Sequence, residues 1–332
     1  MAKRKWILPV LLSAVLVMLG SYITAWLLMP PRTDYGATWE SYRKEDKNTV
    51  DVLYFGSSLV YCNVVPSVIW EQSGITSYAC AGPEQTLPVS YYYIKEACRT
   101  QNPKVVVLEA TGLFYPKYLS FSKVNVSYMP FTLNRLGAAF FGTEKKLWPG
   151  LMLPILDYHS LYQSADRENI EKHLHPQPDI FAGYTYLEDI REQTQTKEKE
   201  YYANTPDYKR NLEYLEKIYQ YCQKQNIRLV LMITPTNEPI PQAAMDQMKK
   251  DIAKLPQAMF VDFNKSMDRM GIDNSKDWYD SIHFNCRGAE KFSKILAGFL
   301  SEELGLSKTE NIDTELWQQR TAEFNKRLSA LK

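Results

Sequence analysis

Two short motifs, far apart in the chain, carry side chains that could act together in nucleophilic catalysis. Ser57 and Ser58 follow an apolar run that ends at Gly56, and Asp280 precedes His283 by three residues. A carboxylate at that spacing can accept a hydrogen bond from the imidazole and fix its tautomer, so that the other ring nitrogen can take a proton from a serine. The pattern indicates Ser58 as nucleophile, His283 as general base and Asp280 as the residue that orients His283.

These motifs can meet only if the elements before them end at one edge of a sheet. Apolar runs rich in branched side chains predict strands over residues 50–55, 77–79, 104–109, 228–233 and 258–263. Amphipathic patterns between these runs predict helices over residues 88–101, 206–225 and 287–303. The alternation predicts an α/β fold with a doubly wound, mostly parallel sheet of the flavodoxin-like type. Ligands of such sheets bind beyond the carboxyl ends of the strands, where Ser58 would lie.

The amino terminus has the pattern of a membrane-spanning helix. Lys3, Arg4 and Lys5 precede an uncharged stretch over residues 6–29, which two prolines close. A helix of this length crosses a hydrocarbon core of roughly 30 Å. The stretch exceeds the usual core of a cleaved signal peptide, which favours a retained signal-anchor over cleavage. Positive charge on the amino side predicts a single-pass protein of the cell membrane, with a cytoplasmic N-terminus and an extracytoplasmic domain.

The chain divides into four predicted parts. Residues 1–31 form a cytoplasmic stub and the signal-anchor, and residues 32–48 form a polar stalk. Residues 49–305 form the α/β domain, interrupted by an insertion at about 113–200 that is rich in aromatic residues, proline and glycine. We expect the insertion on the active-site side of the sheet, as a lid or a partner surface. Residues 306–332 supply a C-terminal helix.

Composition and spacing bear on several other kinds of function. Lys and Arg number 39 against 38 Asp and Glu, a net charge of +1, which argues against nucleic-acid binding by bulk electrostatics. The five cysteines contain no C-x-x-C pair, and free, buried thiols are the expected state. His173 and His175 are two residues apart, a spacing that fits neither the helical zinc motif nor a zinc finger. We therefore expect neither a metal site nor a cofactor.

Three segments together resemble the SGNH, or GDSL-type, hydrolase superfamily. The segment Phe55–Leu59 (FGSSL) resembles the first block of that superfamily, with Ser58 aligned to the nucleophile. The Asp280-x-x-His283 pair resembles the last block, which supplies the acid and the base. Gly82, in an Ala-Gly-Pro segment after the predicted strand at 77–79, resembles the glycine of the second block. By this resemblance, the backbone N–H groups of Ser58 and Gly82 would hold the oxyanion.

Two departures from the superfamily pattern point to one of its branches. Ser57 replaces the aspartate of Gly-Asp-Ser, and residues 109–112 (EATG) stand in place of the Gly-x-Asn-Asp block, with Thr111 as a possible substitute for the asparagine. These departures and the membrane anchor are similar to the branch that contains the D-alanyl transfer protein of teichoic-acid modification and the alginate acetylation proteins. The resemblance covers about residues 50–120 and 205–305.

The resemblance implies an activity and a partner. In that branch an anchored extracytoplasmic domain works beside a polytopic membrane O-acyltransferase that delivers acyl groups. The expectation is a serine acyltransferase or esterase that transfers or removes an acetyl or D-alanyl group on a cell-surface polymer. One alternative is a non-catalytic partner that docks an integral-membrane acyltransferase and recruits polymer. Another is a secreted hydrolase of lipids or small esters.

Five further polar residues are expected to contact substrate: Ser57, Gln85, Thr111, Thr234 and Asn237. Ser57 remains an alternative nucleophile, although a hydroxyl that bonds nearby backbone is the favoured role. The segment from Thr234 to Asn237 either contacts substrate or forms a loop whose geometry its proline sets.

Overall fold

The computed structural model describes residues 4–30, 39–163, 167–193 and 197–331 of the 332-residue chain. Lys3 of the predicted anchor and residues 31–38, which include the first seven residues of the predicted stalk, lie outside these ranges. The described part is an α/β protein with one five-stranded parallel sheet.

All five predicted strands are present. They are β1 (Val52–Phe55), β2 (Ser77–Ala79), β3 (Val105–Glu109), β4 (Arg228–Ile233) and β5 (Met259–Asp262). Their order across the sheet is β2-β1-β3-β4-β5, and every neighbouring pair is parallel. The order reverses between β1 and β3, which is where a parallel sheet opens a crevice at its carboxyl edge.

The strand sequences explain why the sheet is buried on both faces. β1 and β3 are buried along their whole length, and β4 is buried except at Arg228. Continuous apolar runs are typical of strands covered on both sides. β5 lies at the edge of the sheet, and its residues are only partly buried.

Fifteen α-helices are described: α1 (Arg4–Leu28), α2 (Trp39–Tyr42), α3 (Ser58–Tyr61), α4 (Pro66–Ser73), α5 (Leu87–Ala97), α6 (Ser122–Ser127), α7 (Leu133–Gly142), α8 (Trp148–Met152), α9 (Ile155–Tyr158), α10 (Arg167–Leu174), α11 (Pro206–Lys224), α12 (Gln242–Ile252), α13 (Met267–Met270), α14 (Cys286–Gly298) and α15 (Thr314–Ala330). Short 3-10 helices occur at Ala110–Phe114, Lys145–Leu147, His159–Gln163 and Phe263–Ser266, and a π-helical turn at Phe299–Glu303. Helices α5, α11 and α12 pack on one face of the sheet, and α4, α14 and α15 pack on the other.

Helix α1 contains the predicted membrane span. Residues 7–28 are long and apolar enough to cross a membrane, by length and composition. The described side chains of residues 7–19 are exposed, whereas Ala25 and Met29 are buried against the rest of the protein. The carboxyl end of α1 packs against α9 and α10 of the insertion.

Residues 39–48, the described part of the predicted stalk, pack on the α/β domain. Trp39 and Tyr42 are buried in the core that covers one face of the sheet. Glu45 is buried as well, and its carboxylate accepts hydrogen bonds from the Arg320 guanidinium of α15. This ion pair joins the segment after α1 to the C-terminal helix α15.

The insertion begins and ends at one aromatic contact. The rings of Phe114 and Tyr201 stack with centroids 4.8 Å apart and an interplanar angle of 9°. Between them, α6 to α10 form a helical subdomain that packs on α5 and α1. The inserted region is therefore a defined unit whose two ends meet beside the carboxyl end of β3.

The last part of the insertion returns along the loops that surround the carboxyl edge of the sheet. The backbone N–H of Thr185 donates to the carbonyl of Tyr61, at the end of α3, at 2.7 Å. The N–H of Cys286, at the start of α14, donates to the carbonyl of Leu187 at 2.8 Å. Residues 185–187 thus join the two elements that follow the predicted serine and histidine motifs.

Candidate active site

Ser58 is the first residue of α3, immediately after a tight turn at the end of β1. Gly56 makes this turn with φ of +151°, and a Cβ there would lie 2.6 Å from the Cβ of Glu109. Only glycine fits such a backbone conformation and such a close approach. Ser57 is extended and caps α3, since its Oγ accepts from the Leu59 N–H at 3.4 Å. The Ser57 hydroxyl thus bonds nearby backbone, which is the role that the sequence favoured for it.

The turn before α14 carries Asp280 and His283. One oxygen of Asp280, Oδ1, accepts from the backbone N–H groups of Ile282 (2.9 Å) and His283 (2.8 Å). The other, Oδ2, lies 2.8 Å from Nδ1 of the His283 ring. The three-residue spacing therefore lets one carboxylate hold both the turn and the imidazole.

The structure brings the three predicted residues together. Nε2 of His283 lies 2.7 Å from Oγ of Ser58, although 225 residues separate them in the chain. With Nδ1–H donated to Asp280, Nε2 is the nitrogen that accepts the Ser58 hydroxyl proton. An unbroken series of hydrogen bonds runs from Ser58 through His283 to Asp280.

The environment of Asp280 favours its ionised form. Its partial burial opposes ionisation, but the hydrogen bonds from the His283 ring and from two backbone N–H groups outweigh that cost and lower the pKa of Asp280. A carboxylate that stays charged can stabilise the imidazolium that forms when His283 takes the serine proton.

The loop after β4 supports the turn that carries Asp280 and His283. The Asn237 N–H donates to the Ser281 carbonyl at 3.0 Å, and the Ser281 hydroxyl donates to the carboxylate of Glu238. Thr234 is fully buried, and Asn237 is 7% exposed. The loop positions the turn that carries Asp280 and His283, and contact of Thr234 or Asn237 with substrate stays a prediction.

Asn63 is a supporting residue that the sequence did not reveal. Its side chain is fully buried, and Oδ1 accepts from the Phe284 N–H at 2.9 Å. This bond joins the segment after α3 to the residue that follows His283. An asparagine five residues after Ser58 is the only sequence signal, and its partner lies 221 residues away.

The two predicted oxyanion donors differ in their surroundings. No acceptor among the described residues lies within hydrogen-bond range of the Ser58 N–H. The Gly82 N–H donates to the Gly56 carbonyl in a long bond of 3.3 Å. A Cβ at Gly82 would lie 2.3 Å from Oδ1 of Asn125, whose Nδ2 donates to the Pro83 carbonyl at 2.8 Å. Asn125, which the sequence did not indicate, thus fixes the turn that carries Gly82.

The remaining predicted substrate residues are buried and bonded to neighbours. Nε2 of Gln85 donates to Oγ of Ser90 at 3.0 Å, and Gln85 is 1% exposed. Thr111 directs both its N–H and its hydroxyl to Glu109. The Ser57 hydroxyl accepts from the phenol of Tyr115 at 3.1 Å. A contact of these side chains with substrate stays a prediction.

Glu109 is a second carboxylate beside the Ser57–Ser58 turn. It ends β3, is 1% exposed, and has no cation within ion-pair distance among the described residues. Burial raises its pKa to about 7, although the hydrogen bonds from Thr111 oppose the rise. The only sign of Glu109 in the sequence is that an acidic residue closes an otherwise apolar strand.

His173 and the cysteines are other side chains that could bind a metal or act as nucleophiles, and the structure gives them structural surroundings. Nδ1 of His173 lies 2.8 Å from Glu40, and Nε2 lies 2.6 Å from the Met29 carbonyl. Within the described ranges no group of three or more His, Cys, Asp or Glu side chains could hold a metal ion. The five cysteines are free and at least partly buried, and burial raises the pKa of the Cys62 thiol.

No family model matches this chain, and no curated protein matches it significantly. Function is therefore inferred from the geometry of the site.

Proposed function

We propose that this protein is a membrane-anchored serine acyltransferase or ester hydrolase. Ser58 is the nucleophile, His283 the general base and Asp280 the orienting acid. The observation that carries the proposal is the series of hydrogen bonds at 2.7 Å and 2.8 Å that joins these three side chains. Both distances lie within the range that proton transfer requires.

The geometry supports acyl transfer through a covalent intermediate. Oγ of Ser58 attacks the carbonyl carbon of an ester or thioester, and its proton moves to Nε2 of His283. Ionised Asp280 stabilises the imidazolium, while the Ser58 N–H is available for the oxyanion. Breakdown of the tetrahedral intermediate expels an alcohol or thiol, which takes the proton from His283. An acceptor hydroxyl or water then attacks the acyl-enzyme, with His283 as base again.

The location and substrate class rest on the amino terminus and on the family resemblance. The positive residues 3–5, on the amino side of the apolar stretch, favour a cytoplasmic N-terminus and an extracytoplasmic domain. The resemblance favours an acetyl or D-alanyl group, a cell-surface polymer as acceptor, and a polytopic membrane O-acyltransferase as partner. No step of this mechanism requires a metal or an organic cofactor.

The direct test is covalent labelling of the full-length protein in detergent with a fluorophosphonate probe, which reacts with activated serines. We expect labelling of the wild type and none in Ser58→Ala or His283→Ala. Ser57→Ala is the matched control, because it removes a neighbouring hydroxyl and leaves the triad intact. Labelling that survives in Ser58→Ala but is lost in Ser57→Ala would assign the nucleophile to Ser57. Absence of labelling in folded wild type would contradict the proposal.

A second function, docking of a membrane partner without catalysis, is favoured by the surface of the insertion. Phe140 and Phe141 of α7 are 41% and 55% exposed, and Leu133 is 84% exposed. Apolar side chains grouped on one helix are typical of a surface that a partner covers. If Ser58→Ala kept full cellular function while Phe140→Ser/Phe141→Ser lost it, the docking role would replace the catalytic one.

A further inference from the structure

We propose that a cavity beside the carboxyl end of α1 binds the phosphate-bearing headgroup of an anionic membrane lipid. The cavity has a volume of about 430 Å³ and lies between the end of α1, the α2 segment and the insertion. None of the described residues that line it belongs to the Ser58 site. The proposal is thus independent of the proposed catalytic function.

The cavity wall carries an excess of positive charge. Arg43, Lys44 and Arg135 line it, and no carboxylate among the described residues lies within ion-pair distance of any of them. Glu40 is the one carboxylate among the described lining residues. It already accepts from the indole N–H of Trp26 at 2.8 Å, and the His173 ring lies against it at the same distance. Glu40 can offset at most one of the three positive charges, so the cavity wall keeps a net positive charge.

Arg135 is the strongest sign that this cavity suits an anion. It is 3% exposed; Nη1 donates to the Met129 carbonyl at 3.0 Å, and Nη2 donates to the Leu151 carbonyl at 3.2 Å. Its Nε is buried and has no partner in the part of the chain that the structure describes. A buried guanidinium without a counter-ion is costly, and phosphate oxygens match its planar donors.

The position of the cavity along α1 favours a lipid as the source of that phosphate. Residues 7–19, whose described side chains are all exposed, rise by about 20 Å, less than the hydrocarbon core of about 30 Å. Tyr22 and Trp26 follow within the next two turns and line the cavity. A span over residues 7–28 places these rings near one membrane interface, where Tyr and Trp are enriched.

Exposed apolar side chains beside the cavity suit the acyl chains of such a lipid. Phe131 lines the cavity, is 49% exposed, and packs on Tyr22 with ring centroids 4.9 Å apart. Leu174 also lines it and is 52% exposed, and Leu156 of the adjoining α9 is 53% exposed. The site therefore combines a cationic, aromatic chamber with an apolar rim, as a lipid with an anionic headgroup requires.

The test is lipid retention by the full-length chain, released from detergent micelles in native mass spectrometry. The probes are dioleoylphosphatidylglycerol, dioleoylphosphatidylcholine and inorganic phosphate. We expect one phosphatidylglycerol retained in preference to phosphatidylcholine, and retention about tenfold weaker in Arg43→Gln/Lys44→Gln. These two exposed cations were chosen because a change of buried Arg135 could prevent folding. Lys145→Gln/Lys146→Gln removes the same charge from a part of the insertion that does not line the cavity, and it should change nothing.

Three results would overturn the proposal. Equal retention of the two lipids would show that headgroup charge is not recognised. An equal loss in both double variants would assign binding to general surface charge. Displacement of phosphatidylglycerol by millimolar inorganic phosphate would identify a site for the free anion instead of a lipid.

Discussion

Two carboxylates stand on either side of the Ser57–Ser58 turn, and their surroundings shift their pKa values in opposite directions. Asp280 has a side chain that is 31% exposed, and hydrogen bonds from an imidazole and two N–H groups lower its pKa. Glu109 is buried at the end of β3 without a cation among the described residues, and its pKa rises to about 7. The environment of each group, and not its residue type, sets the direction of its pKa shift.

The two groups affect stability in opposite directions as pH changes. Because the folded pKa of Asp280 is lowered, its contribution is present above its ordinary pKa and is lost as pH falls. Because the folded pKa of Glu109 is raised from 4.5 to about 7, its contribution is present below 4.5 and is lost as pH rises towards 7. Substitution of each residue tests this contrast.

The largest effect is expected from Asp280→Asn. The amide would still accept from the backbone N–H groups, but its NH₂ would face Nδ1 and place the ring proton on Nε2, towards Ser58. We expect fluorophosphonate labelling to slow by about 10³–10⁴-fold with little loss of stability. Asp273→Asn, in the same loop without contact to His283, should label at the wild-type rate. An unchanged rate in Asp280→Asn would remove Asp280 from the proposed mechanism.

A substitution of Gly56, which lies between the two carboxylates, should reduce both stability and the labelling of Ser58. Gly56→Ala would put a Cβ 2.6 Å from Cβ of Glu109 at a φ of +151°. We expect a loss of about 3 kcal/mol in the free energy of unfolding, measured by urea denaturation in detergent, together with slower labelling. Gly298→Ala, where a Cβ would meet no atom within 4 Å, is the control and should not destabilise the protein. Equal stability of the two variants would mean that the Gly56 turn can relax.

The third prediction isolates Glu109. A pKa raised from 4.5 to about 7 corresponds to about 3 kcal/mol of stability lost as the pH rises from 4 to 8. Glu109→Gln keeps the shape of the side chain and removes the charge, so the variant should not show this loss. Urea midpoints measured from pH 4 to pH 8 check it. If the urea midpoints of wild type and variant depended on pH in the same way, ionisation of Glu109 would not destabilise the folded protein.

The smallest effect is expected from Tyr115→Phe. It removes the phenol that donates to Oγ of Ser57 at 3.1 Å, on the side of the turn that faces Glu109. We expect a loss of about 1 kcal/mol in stability and a labelling rate within about threefold of wild type. A labelling rate as low as that of Asp280→Asn would mean that the residues around Glu109 also take part in catalysis.

The sequence was sufficient to predict the strands and helices that are specified by a pattern of neighbouring residues. Continuous apolar runs gave the strands, and β4 has the predicted limits, because burial on both faces leaves little choice of residue type. The helix predicted over residues 206–225 is present as α11 (Pro206–Lys224), since Thr205 caps it and its apolar stripe faces the sheet. The proximity of Ser58 and His283 followed from strand ends that share one edge.

Features that depend on packing between distant residues could not be predicted. The insertion gave no periodic signal, and its closure through Phe114 and Tyr201 is a contact across 87 positions. The segment predicted as a stalk instead packs on the domain from Trp39 onward, because Glu45 finds Arg320 some 275 residues away.

The sequence by itself determined the apolar amino-terminal helix, the parallel sheet and the pair of motifs that carry Ser58 and His283. These features depend on apolar runs, helical periodicity and short motif spacings, all of which involve residues close together in the chain. The tertiary structure alone decided the raised pKa of Glu109, the partners of Asn63 and Asn125, and the cationic cavity around Arg135. Each of these depends on burial and on partners from other elements, which no local pattern records.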